Sequence, residues 1–101
     1  MKTLTVHILL YREDDYYIAH CLEFDLVAQG ATTHEAFQNL LDAIELQAAY
    51  VQQTGDLKNL IQPAPPEYWQ MLAIAEPYTP QSNGWILPAI LTDVACGLVH
   101  G

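Results

Sequence analysis

The sequence predicts an α+β fold: a three-stranded antiparallel meander packed on one long amphipathic helix, in the order β-β-β-α. Two observations carry this. Residues 3 to 11 alternate apolar and polar side chains with a period of two, the signature of a half-buried strand. Residues 33 to 54 repeat apolar side chains at helical spacing, between a good N-cap and a glycine.

The first strand puts Leu4, Val6, Ile8 and Leu10 on one face, and Thr3, Thr5, His7, Leu9 and Tyr11 on the other. Arg12 to Asp15 is polar and suits a turn. Tyr16 to Cys21 reads as a second strand. Leu22 to Asp25 connects it to a short third strand, Leu26 to Gln29, which Gly30 ends. If the turn pairs Tyr11 with Tyr16, then Leu10 faces Tyr17, Ile8 faces Ala19 and Val6 faces Cys21. The same register sets His7 directly opposite His20 on the second face.

The helix is the clearest element. Thr32 is its N-cap, and Glu35 stands at the capping-box spacing, where it also favours the positive end of the helix dipole. Phe37, Leu40, Leu41, Ile44, Ala48 and Val51 form one stripe that should cover the face of Leu4, Val6, Ile8 and Leu10. Gly55 is the expected C-cap.

The remainder is less regular. Asp56 to Gln62 suits a short helical turn, and Pro63 to Pro66 a rigid spacer. Pro66 to Ala75 reads as a helix with proline in its first turn. Pro77 to Gly84 reads as a loop. Gly84 to Val94 suits a strand or a short helix, and Pro88 argues against a central strand. The expected organisation is therefore a β-β-β-α core over residues 1–62 and a Pro- and aromatic-rich extension over 63–101, packing on the core or on another subunit. Tyr68, Trp69, Tyr78 and Trp85 need something to cover, either the second sheet face or a second copy in a homo-oligomer.

Charge narrows the partners. Of 101 residues, 12 are acidic and 3 basic, a formal charge of −9. Direct nucleic-acid binding runs on Lys and Arg and is disfavoured, as is an anionic membrane surface. A basic protein partner is favoured, chiefly through faster encounter. Met1 to Leu10 lacks the apolar core of a signal peptide, no apolar run reaches the length of a membrane span, and Cys21 and Cys96 have no metal or redox spacing. The expected compartment is the cytoplasm, where thiols stay reduced.

The stretch Tyr16 to Asn39 resembles the HicB-like antitoxin family. That family has a Gly-x-Thr-x-x-Glu-Ala-x-x-Asn junction between strand and helix, matched here by Gly30, Thr32, Glu35, Ala36 and Asn39. The resemblance covers residues 3 to 54, about half the chain. It implies a partial ribonuclease-H-like fold without catalytic carboxylates, and a role in masking a small basic ribonuclease toxin. Two features depart from the family: Leu22 to Leu26 lack its usual prolines, and residues 63 to 101 lack the basic residues of its common DNA-binding end.

Few residues suggest chemistry. His7 and His20 read first as two ordinary histidines on a partly covered face, and otherwise as a pH-sensitive or surface contact pair or as half of a metal site that lacks the remaining ligands. Glu13, Asp14 and Asp15 read as a solvated turn rather than a cation site. Glu23 and Asp25 could act as paired acids, but no partner motif accompanies them, and there is no P-loop, GxSxG, GxGxxG or HExxH. The expectation is a non-catalytic binding module with no cofactor and no metal. The alternatives are an oligomeric or ligand-binding scaffold of the same fold and, behind both, a metal-dependent hydrolase built on His7, His20 and Glu23.

Overall fold

The computed structural model describes residues 4–55, 61–78 and 91–99. The elements are β1 (Leu4–Glu13), β2 (Tyr16–Cys21), β3 (Leu26–Gly30), α1 (Thr33–Thr54), α2 (Pro66–Ile74), β4 (Glu76–Tyr78) and β5 (Leu91–Leu98). The meander and its helix are where the alternation and the helical stripe put them. The sheet, however, has five strands in the order β3-β2-β1-β5-β4, not three. β5 runs parallel to β1, and β4 pairs antiparallel with β5.

This makes β1 the central strand and explains why Leu9, on the second face, is fully buried. Pro88 did not prevent a central strand, because β5 begins only at Leu91. A parallel strand joined through distant chain carries no hairpin signal, and its pairing is non-local. Pro77, expected in a loop, lies in the short edge strand β4. The expected turn at Asp56 to Gln62 and the segment Gly84 to Ile90 fall wholly or mostly outside the described residues.

The register of β1 and β2 also differs from expectation. Glu13 faces Tyr16, Leu10 faces Ala19 and Ile8 faces Cys21. The turn is the two residues Asp14 and Asp15, with Asp14 at φ 55°, a conformation that aspartate tolerates better than most residues. The slip is two residues long, so each side chain keeps its face.

One face of the sheet holds the main core. Val6, Ile8, Leu10, Ala19, Cys21 and Phe24 pack against Ala36, Phe37, Leu40, Leu41, Ile44 and Val51 of α1. Burying each large side chain of this kind contributes about 1.5–3 kcal/mol. The junction into α1 is tight. A Cβ on Gly30 would stand 2.5 Å from Ala36 N and 2.8 Å from Glu35 C, so only glycine lets the helix sit this close. Thr32 Oγ1 accepts from Glu35 N–H at 3.0 Å, and Asn39 Nδ2 donates to Gln29 O at 2.9 Å. Gly55, at φ 73°, closes the helix by donating to Val51 O.

The other face is covered by α2 and the segment before it. Leu9, Leu22 and Ala64 form a smaller buried cluster, bordered by Tyr11, Tyr68, Trp69 and Leu72. Ala64 N–H donates to Leu22 O, and Trp69 Nε1 donates to Ala64 O at 3.1 Å. At the end of α2, a Cβ on Gly97 would lie 2.9 Å from Ala75 Cβ, so β5 and the chain leaving α2 also touch closely. No helix among the described residues is long and apolar enough to cross a membrane.

Candidate functional site

The second sheet face gathers most of the polar side chains that the sequence singled out. His7 comes from the middle of β1 and His20 from β2; both point to this face because strand side chains alternate. They are not opposite one another. His20 faces Leu9, because the two-residue turn shifts the ladder.

Each histidine instead has its own carboxylate from the connection between β2 and β3. Glu23 grips His7 twice: Oε1 accepts the His7 backbone N–H at 2.7 Å, and Oε2 lies 2.6 Å from Nδ1. Asp25 Oδ1 lies 2.6 Å from His20 Nε2. An ionised carboxylate only accepts, so these contacts select the Nδ1–H form of His7 and the Nε2–H form of His20 when the rings are neutral. The other nitrogen of His20, Nδ1, is then a buried acceptor with no hydrogen-bond partner.

Aromatic rings from α2 close over both. Tyr68 meets His20 edge-on with centroids 4.6 Å apart, and Trp69 lies 5.9 Å from His7. His20 is thereby only 2% exposed, while the His7 side chain is 41% exposed. Tyr11 stands in the same region. Its hydroxyl is pushed above its ordinary pKa, first by burial and then by its neighbours Tyr68, Glu13 and Asp25.

The chemistry open to this arrangement is limited. Asp25 sits at φ 52°, left-handed backbone that aspartate tolerates better than most residues, and its bond to His20 helps to hold it there. Glu23 satisfies a backbone amide as well as a ring. Both pairs therefore clamp the connection onto the sheet. Cys21 lies on the opposite face, where burial pushes its thiol up to about 12 and keeps it from acting as a nucleophile. Among the described residues no three His, Cys, Asp or Glu side chains converge as metal ligands. A hollow of about 220 Å³ beside His7 is lined by Leu72, Ala75, Pro77, Ala95, Cys96 and Gly97.

The acidic turn forms a second feature. Glu13 and Asp14, with Tyr16, Ile18 and Gln29, line a hollow of about 320 Å³ at the outer end of the hairpin. The sequence had marked these acids only as turn residues. It had grouped Glu23 with His7 and His20 only as the site of a metal-dependent hydrolase, and had not paired Asp25 with His20; acids directly following a strand that carries a histidine were the available signal. The junction residues behind the family resemblance turn out to have local work. Gly30 admits the helix, Thr32 caps it, Ala36 is buried on Gly30 and Asn39 ties the helix to β3.

Searches against protein-family models, curated proteins and solved structures found no match to this chain.

Proposed function

We propose that this chain is a non-catalytic, cytoplasmic binding module that neutralises a small basic protein, in the manner of an antitoxin masking a ribonuclease toxin. The observation that carries the reading is the charge: 12 acidic residues against 3 basic ones, −9 in all, on a chain of 101 residues. The site geometry supports the non-catalytic part. Both histidines are engaged by carboxylates that serve the β2–β3 connection. The Cys21 thiol, buried in the core without a disulfide, suits a reducing compartment. The junction at Gly30 to Asn39 supports the HicB-like fold reading only, because capping, close packing and a tie to β3 account for Gly30, Thr32, Ala36 and Asn39.

The test is co-expression with the product of a neighbouring reading frame that encodes a short basic protein. A salt-sensitive complex that silences the partner's ribonuclease activity is the expected result. Recovery of the two proteins separately, or a hydrolytic activity of this chain that disappears in His7→Ala, would overturn the proposal.

A second reading, a homo-oligomeric scaffold without a toxin, is favoured by one observation. Leu46 and Tyr50 lie one turn apart on α1 and remain 75% and 57% exposed. Light scattering coupled to size-exclusion chromatography distinguishes the two. A stable oligomer lost in Leu46→Glu supports the scaffold, and a monomer at micromolar concentration removes it.

A further inference from the structure

Strand β3 is one outer edge of the sheet, and its free side can be worked out from the ladder. Leu22 N–H donates to His7 O, so these two residues turn their backbone groups toward each other, although His7 N–H is taken by Glu23 and Leu22 O by Ala64. By alternation, His20, Ile18 and Tyr16 also turn their backbone groups toward β1. Tyr17, Ala19 and Cys21 must then turn theirs toward β3, where they meet Gly30, Ala28 and Leu26. Val27 and Gln29 are left with N–H and C=O directed away from the sheet. The bond from Asn39 Nδ2 to Gln29 O agrees, since it takes one of these outward carbonyls. Val27 N–H, Val27 C=O and Gln29 N–H remain on the edge.

Proteins usually blunt such edges with charges, prolines or bulges. Leu26–Gly30 carries no charge and no proline, and its pairing with β2 runs without a register shift. Beside it, Val27 is 53% and Tyr16 50% exposed, and the hollow lined by Glu13, Asp14, Tyr16, Ile18 and Gln29 opens next to the strand's end. Arg12, the one Lys or Arg among the described residues, donates its Nε–H to the backbone oxygen of Asp14.

We propose that β3 is the docking edge for an extended basic segment of the partner protein. The segment adds to the sheet as a further strand and seats one Lys or Arg side chain in the hollow of Glu13, Asp14 and Tyr16. This rests on the basic-partner reading and assigns that reading a surface. The alternating donors and acceptors of the edge match another extended backbone, while the carboxylates and an aromatic ring match a cationic side chain. A second copy of this chain is the poorer occupant, because two molecules of charge −9 would bring their acidic turns to one edge.

The test titrates the isotopically labelled full chain with a synthetic peptide of alternating Lys and Val, using a Glu-for-Lys peptide as control. The Lys peptide is expected to bind saturably and to slow hydrogen exchange at the Val27 and Gln29 amides. Val27→Pro should weaken binding roughly tenfold, the scale of one or two lost hydrogen bonds. Its amide faces away from β2, so the ladder loses no bond. The exposed double variant Glu13→Gln, Asp14→Asn keeps the edge and should flatten the salt dependence.

Binding that leaves both amides unprotected and ignores both variants would overturn the edge while leaving the basic-partner reading intact. The same holds if a basic partner protein binds but the peptide does not. A dimer that dissolves in Val27→Pro would assign the edge to a second copy and overturn the proposal. Failure of every basic protein and peptide to bind would sink the edge and the functional reading together.

Discussion

The two faces of the sheet are built on different principles. The α1 face is dry: twelve buried residues interlock with no polar atom among their side chains except a thiol. The α2 face buries only Leu9, Leu22 and Ala64 in its cluster, and α2 has no fully buried residue. Its order comes from Glu23 on His7, Asp25 on His20 and Trp69 on Ala64. Apolar burial scales with area and is indifferent to direction, whereas hydrogen bonds and ion pairs contribute little net stability and specify geometry. The first face therefore holds the fold, and the second holds a particular arrangement of chain.

This contrast can be broken by measurement. The largest effect should come from Phe37→Ala, which empties the centre of the α1 face; urea unfolding should show a loss of about 3–5 kcal/mol. A loss under about 1 kcal/mol would mean that the face is not the principal core.

Alkali should act on the same face. The Cys21 thiol stays neutral to about 12 in the folded chain but ionises near 9.0 when unfolded. The sign follows from linkage: its contribution to stability is complete below the unfolded value and is lost as pH rises from there toward 12. Cys21→Ala should remove that part of the pH dependence in a series of denaturant melts. Identical slopes in both proteins would contradict it.

Gly30→Ala sharpens the comparison at the junction, where a methyl group would meet backbone rather than a movable side chain. The expected cost is about 1–3 kcal/mol, read from the shift of the thermal midpoint. A neutral outcome would show that α1 can lift from β3 freely.

Trp69→Ala tests the α2 face and should have the smallest effect, about 1–2 kcal/mol, because the ring is half-buried and offers less apolar area than a core residue. Proteolysis within α2 should nevertheless accelerate while α1 stays protected, since the helix has no side-chain cap and few buried atoms. A loss equal to that of Phe37→Ala would abolish the distinction between the faces.

The α1 face was legible in the sequence because its signals are local. Period-two alternation in β1 and the stripe from Phe37 to Val51 identify the buried face without knowledge of the pairing. Even a two-residue error at the Asp14–Asp15 turn left every side chain on its correct side. The α2 face was not legible in this way. His7 lies 16 residues from Glu23, and Trp69 is further still along the chain, so their meeting depends on how distant segments return. β5 shows the same limit: it joins β1 across most of the chain, with no turn to announce it.

What the sequence by itself determined is therefore the meander, the long helix with its caps, the assignment of side chains to faces and the acidic character that narrows the partners. Only the tertiary structure decided that the sheet has five strands, that β1 lies at its centre, that each histidine answers to its own carboxylate and that β3 is left as an open edge. The physical reason is range. Periodicity, capping and charge are properties of neighbouring residues, whereas strand order and polar pairing are settled by which distant segments gain most from burying each other.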